Sequence, residues 1–185
     1  GTLLEHGRRC WELAPWMPGA SDYWTDPRLP KLAAAMSTLA RLHRIAATAP
    51  APLHPAGDGA QPSLRQRAVR LDRLRDGELV DLQRIVERLP AGAERRRAQA
   101  VLALAERLIP SEHEKSRRWR EAVLPLQWCL RDVQHDHVLF TGDEVTGLID
   151  FGAAAWDAPA VDVARLLGSL VGDDAAAWQR GLAAY

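Results

Sequence analysis

The chain has 185 residues, enough for one domain with a sizeable core, and its 24 basic side chains balance 24 acidic ones. Zero net charge argues against a single-sign surface field, so neither a nucleic acid nor an anionic membrane is expected as a partner. No apolar run reaches the roughly 20 residues of a membrane span, and Cys10 and Cys129 have neither zinc-motif nor disulfide-framework spacing, so the expected compartment is a reducing cytoplasm.

From the N-terminal end, Arg9 to Gly19 reads as a short strand running into a Pro-Gly turn, an edge strand with Trp11 and Trp16 buried. Asp22 to Pro30 is polar and turn-rich. Leu32, Ala35, Met36, Leu39, Leu42, His43 and Ala46 then recur at helical spacing, with Pro30 suited to the first turn. His43 lies on the apolar stripe of this helix, where a histidine is usually a hydrogen-bonded core residue.

Prolines 50, 52, 55 and 62 make Ala49 to Pro62 a loop. Leu64, Ala68, Leu71 and Leu74 predict a helix whose arginines, at 65, 67, 70, 73 and 75, form a solvated face rather than a phosphate site. Gly77 interrupts it, and Leu79, Leu82, Val86 and Leu89 continue a second helix to Pro90. A third spans Glu94 to Ile109, with Ala98, Val101, Leu104, Ala105 and Leu108 inward and Pro110 as its stop. Ser111 and Glu114 have capping-box spacing, and Arg117 to Arg120 forms a charged cover.

An apolar stretch, Val123 to Cys129, leads into Leu130-Arg131-Asp132. Val138, Leu139 and Phe140, then Val145, Leu148 and Ile149, flank Thr141-Gly142-Asp143-Glu144, the pattern of a short hairpin. Asp132 sits in the loop entering its first strand and Asp150 where the second ends. Two carboxylates on rigid strand ends suit a general base plus a hard-cation ligand. The bland alternative has Asp132 paired with Arg131 or another arginine and Asp150 capping the next turn. Ala153 to Ala155 reads as a small-residue loop, Asp157 to Leu170 as a helix, and Asp173 and Asp174 as caps of a final Ala-rich helix.

Asp132 with His137 five residues on, the hairpin, then Ile149-Asp150-Phe151-Gly152 resembles the catalytic segment of the aminoglycoside phosphotransferase and choline kinase family, which has a protein-kinase-like fold. Trp156-Asp157-Ala158-Pro159 and Asp162-Val163-Ala164 are similar to that family's downstream motifs. The resemblance implies a mainly α fold with a small β-hairpin (α+β), corresponding to the family's C-terminal lobe, with the N-terminal nucleotide lobe absent or truncated. On this reading residues 1–19 hold a hinge-like segment and the end of the N-lobe. Residues 20–185 form the helical lobe, with the catalytic hairpin at 126–152.

The activity implied is transfer of the ATP γ-phosphate to a hydroxyl of a small molecule, with Mg²⁺ as the metal. Asp132 would be the catalytic residue and Asp150 and His137 the metal ligands. Backbone at Glu12 and Leu13 would hold the nucleotide, and His43, Arg131 and Asp162 would support the loop. The family has Asn where this chain has His137, and imidazole is a softer ligand than an amide oxygen. A binding protein of pseudokinase type is therefore an alternative. A metal-dependent hydrolase using His135 and His137, whose rings would share one face of a strand, is a further one.

Overall fold

The computed structural model describes residues 2–51, 62–119 and 122–185. The chain divides into two compact units, Gly1–Ala51 with Gln127–Tyr185, and Pro52–Leu126.

The first unit opens with an antiparallel hairpin of β1 (Thr2–His6) and β2 (Arg9–Leu13), closed by Gly7 and Arg8 at φ 58° and 60°. Paired positive φ values match the twist of a two-residue hairpin turn. The sequence signals only the second strand, and it misplaces the tryptophans: Trp11 is 53% and Trp16 96% exposed. A lone two-stranded ribbon has no second layer in which to bury them.

Helix α1 (Leu29–Ala46) carries Pro30 in its first turn and buries Leu32, Ala35, Met36, Leu39 and His43 along one stripe. That stripe meets α5 (Pro159–Val171) through Leu166, Leu167 and Leu170 in a single apolar cluster that also takes in Val133, Val138 and Phe140. Helix α6 (Ala175–Ala184) adds Ala177, and its first turn is capped by Asp174, which accepts from the Ala176 and Ala177 amides. Lys31 is fully buried yet satisfied, its Nζ lying 2.7 Å from Asp22 and 3.0 Å from Asp26.

Two further ribbons complete this unit. Strand β3 (Gln127–Cys129) pairs antiparallel with β6 (Ala155–Asp157), so the segment expected as a small-residue loop ends in a strand. Three residues are too few for a period of two to register in sequence. The expected hairpin is present as β4 (Val138–Thr141) and β5 (Glu144–Leu148), with a register shift between Leu139 and Phe140. Ala20 bridges to Phe140 through two backbone hydrogen bonds of 2.9 Å, and Thr146 Oγ1 donates to the Pro18 carbonyl at 2.8 Å. Residues 18–20 thereby brace the hairpin's outer edge.

The second unit is helical: α2 (Pro62–Arg73), a π-helical turn (Leu74–Glu78) with Gly77 at φ 146°, α3 (Leu79–Glu87) and α4 (Ala93–Trp119). Most of the loop expected at 49–62 lies outside the described residues. Arg65, Arg67, Arg70, Arg73 and Arg75 are all exposed, the solvated face that the sequence suggests. Helix α4 does not stop at Pro110 but runs on to Trp119, and Ser111 Oγ donates back to the Leu108 carbonyl instead of capping a new helix. Contacts with α2 and α3, and burial of Ile109, offset the hydrogen bond that Pro110 cannot donate. The inward face is also rotated from expectation: Val101, Leu104 and Leu108 are exposed, whereas Ala98, Leu102, Ala105 and Ile109 are partly or fully covered. Among the described residues no helix is long and apolar enough to cross a membrane.

Gly19 is where the brace on the hairpin is tightest. Its φ is 106°, and a Cβ there would lie 2.7 Å from the Phe140 carbonyl oxygen and 2.4 Å from Thr146 Oγ1. Gly19→Ala is expected to destabilise the protein by about 1–3 kcal/mol, from overpacking and the left-handed backbone together. Urea unfolding measures this, and an unchanged midpoint would show that residues 18–20 do not hold the hairpin.

Candidate functional site

Strand β3 ends at the buried Cys129, and the chain then crosses a loop to the 3₁₀ turn His135–His137 before entering β4. Such a loop has backbone amides to satisfy, and α5 supplies their acceptor. Asp162 is wholly buried; its Oδ2 accepts from the Leu130 amide at 2.7 Å and its Oδ1 from the Arg131 amide at 2.6 Å. Oδ2 also lies 3.0 Å from His43 Nε2, and His43 Nδ1 is 2.7 Å from the Tyr185 hydroxyl. His43 and Asp162 thus form a buried, hydrogen-bonded strut under the loop.

Arg131 is held in the left-handed region at φ 66°, with its Nε 3.1 Å from Oδ2 of the fully buried Asp157. Non-glycine residues seldom adopt this conformation. The next residue, Asp132, is partly exposed, and its Oδ1 accepts from Gln134 Nε2 at 3.1 Å and from the Arg165 guanidinium. Sequence reasoning missed Arg165. Its signal was available, since it lies three residues after Asp162 and therefore on the same face of α5.

Asp150 is positioned from the hairpin's other strand. The Ile149 amide donates to the His137 carbonyl at 3.0 Å, which ties the end of β5 to the entry of β4. Asp150 follows at φ 62°, with its side chain 63% exposed. Its Oδ1 is 3.4 Å from the Gly152 amide, and its Oδ2 3.6 Å from His137 Nε2. The same imidazole nitrogen is 3.6 Å from Asp136 Oδ1, whereas His137 Nδ1 is enclosed and has no hydrogen-bond partner. The bland contacts, an arginine on Asp132 and a turn amide on Asp150, are therefore both present. They occupy one oxygen of each carboxylate; among the described residues nothing is bonded to Asp132 Oδ2, and Asp150 Oδ2 has only His137 near it.

The remaining site candidates are placed as follows. Glu12 and Leu13 end β2, with Leu13 exposed. His135 is in the 3₁₀ turn and not on a strand, so the premise of a shared strand face with His137 fails. Its ring stacks on Trp24, and its Nδ1 is 3.0 Å from Ser169 Oγ. A hydrolytic centre built on the two histidines loses its geometric basis. Among the described residues, His43, Cys129 and Asp162 bring potential metal-ligating atoms together. Both histidine nitrogens and both carboxylate oxygens there are already bonded. Burial, reinforced by Asp162 and Asp157, pushes the Cys129 thiol up to about 12, so in the metal-free protein it stays protonated at neutral pH.

The model of the phosphotransferase enzyme family (APH) matches residues 1–185. The chain belongs to this family. A search of the curated proteins finds no match. Transfer of phosphoryl groups is the general chemistry of that family.

Two outcomes test the strut. Asp162→Asn leaves one of the two loop amides facing a donor and is expected to cost on the order of 3 kcal/mol in urea unfolding, because hydrogen bonds to a buried charge are lost. Full stability in that variant would mean the loop is anchored elsewhere. Cys10 is exposed and Cys129 buried with a raised pKa, so a thiol-specific chromogenic reagent at pH 8 should label one cysteine in the native protein and both after denaturation.

Proposed function

We propose that this member of the phosphotransferase family transfers the γ-phosphate of ATP to a hydroxyl group of a small molecule. The observation that carries the reading is a pair of half-exposed carboxylates on either side of one hairpin, with a left-handed backbone at Arg131, just before Asp132, and at Asp150 itself. Strained positions of this kind cost about 1–3 kcal/mol each and persist where surrounding structure over-determines them, commonly at functional sites.

Asp132 would receive the acceptor hydroxyl on Oδ2, since Gln134 and Arg165 both engage Oδ1. It orients the hydroxyl and takes its proton as the oxygen attacks phosphorus. Arg165 and Gln134 fix the rotation of the carboxylate, so that its free oxygen keeps one direction.

The donor set suits Mg²⁺ at Asp150: a solvent-facing carboxylate is a hard oxygen ligand, and Asp136 places a second one by the same imidazole. Asp150 and His137 would hold the cation, with His137 a weak contributor. A ligating imidazole normally donates its other ring N–H to an acceptor, and Nδ1 of His137 has none. When bound, Mg²⁺ would neutralise charge on the phosphate oxygens and help align them for in-line transfer. Backbone at Glu12 and Leu13 is the proposed nucleotide contact, resting on the family resemblance alone.

A second reading, a binding protein of pseudokinase type, is favoured by the imidazole of His137 standing where the family has an amide oxygen. One experiment separates the two. ADP release from Mg-ATP in the presence of hydroxyl acceptors supports transfer, whereas nucleotide binding with no ADP supports the binding protein. Asp150→Gly sharpens the test, because glycine suits φ 62° at no steric cost. The variant should lose Mg²⁺-dependent ADP release by at least about 100-fold while its unfolding midpoint holds or rises. Undiminished turnover would remove Asp150 from the metal site.

A further inference from the structure

Trp24 is 64% exposed yet rigidly held. Its indole Nε1 donates to the Ser169 carbonyl at 3.0 Å, and one face of the ring stacks on His135 with centroids 3.7 Å apart and planes 5° from parallel. His135 is itself fixed, since Ser169 Oγ is 2.8 Å from its backbone amide and 3.0 Å from its Nδ1. The neighbouring Tyr23 is buried in the core, 6.4 Å from the Phe140 ring centre, which pins the backbone from behind. A tryptophan with every anchor satisfied and its outer face in water is a pre-organised apolar contact surface: its ordering cost is already met before anything binds.

Its place in the chain gives that surface a use. His135 is three residues from Asp132, at most about 11 Å of extended backbone. Ser169 lies four residues after Arg165, so one face of α5 holds both the carboxylate and the aromatic stack. We infer that Trp24 is the platform for the acceptor, and that the acceptor is an uncharged hydroxylated ring, a sugar or cyclitol, whose apolar face packs on the indole while a hydroxyl reaches Asp132.

Charge decides between acceptor classes. The Arg165 guanidinium balances the charge of Asp132 at the point where the acceptor must dock, so that pair offers no net negative charge to attract a polycation. A single aromatic ring beside a guanidinium also makes a poor cage for a quaternary ammonium. An acyclic alcohol would leave the indole face uncovered.

This inference rests on the phosphoryl-transfer reading for the identity of the reacting hydroxyl, but the platform can be tested without nucleotide. Saturation-transfer-difference NMR on the full chain would use myo-inositol and methyl glucoside as ring polyols, with glycerol, choline and kanamycin as the contrasting probes. Ring C–H signals are expected for the two ring polyols, with binding weakened at least about tenfold in Trp24→Ala and retained within about threefold in Trp24→Phe. Trp24→Leu, apolar but without a ring face, replaces the alanine variant should that one fail to fold. No signal from either ring polyol, equal signal in the variant lacking the ring, or preferential binding of kanamycin or choline overturns the platform. Ring-polyol binding that depends on Trp24 without ADP release from Mg-ATP would remove the transfer reaction and leave the platform standing.

Discussion

The carboxylate of Asp162 is the constraint on which the rest of the site depends. It is entirely buried, and two backbone amides and an imidazole nitrogen compensate it in place of an exposed counter-ion. In a low-dielectric interior such an arrangement is stable only when every partner is in place, because each missing hydrogen bond exposes charge to apolar surroundings. That makes the loop's path nearly obligatory. Leu130 and Arg131 must present their amides to α5, and Arg131 must turn left-handed to do so. Asp132 consequently starts from a fixed point.

Helix α5 extends the same logic along its length. Asp162, Arg165 and Ser169 fall on one face and hold successive parts of the loop: the backbone at 130 and 131, the carboxylate at 132, and the amide and ring at 135. A straight helix spaces its anchors at fixed intervals, so the loop copies that spacing. The hairpin adds the second carboxylate, because the Ile149 amide on the His137 carbonyl sets where β5 stops and Asp150 begins. Carboxylates at the two ends of the hairpin therefore come from ordinary backbone pairing plus one polar helix face.

The legibility of these parts in sequence follows their periodicity. Helix α1 has six buried positions at helical spacing, and the β4–β5 hairpin pairs two runs of β-formers, so both are visible in advance. Strands β1 and β6 are not, the first having little alternation and the second only three residues. Pro110 reads as a helix stop because sequence shows the lost donor and not the packing of α4 on α2 and α3. Within the site, Asp132 and Asp150 stand out because they interrupt apolar runs at strand ends. Arg165 and Trp24 do not, since their meaning comes from what they touch 33 and 145 residues away. The stripe of α5 shows which helix face turns inward, but not which loop it meets.

Structural and functional roles of Asp132 are not competing explanations. An arginine on a surface aspartate usually signals a solvated ion pair of little consequence. Here Arg165 and Gln134 converge on the same oxygen, Oδ1, and among the described residues nothing is bonded to Oδ2. A carboxylate gripped on one side only has lost its rotational freedom and kept its acceptor capacity, which is the state a base needs before its substrate arrives. Had both oxygens been paired, as they are in Asp162, the group would be a strut. Asp162 lies on α5 and Asp132 in the loop that it anchors, and the difference between scaffold and candidate base is the count of satisfied oxygens.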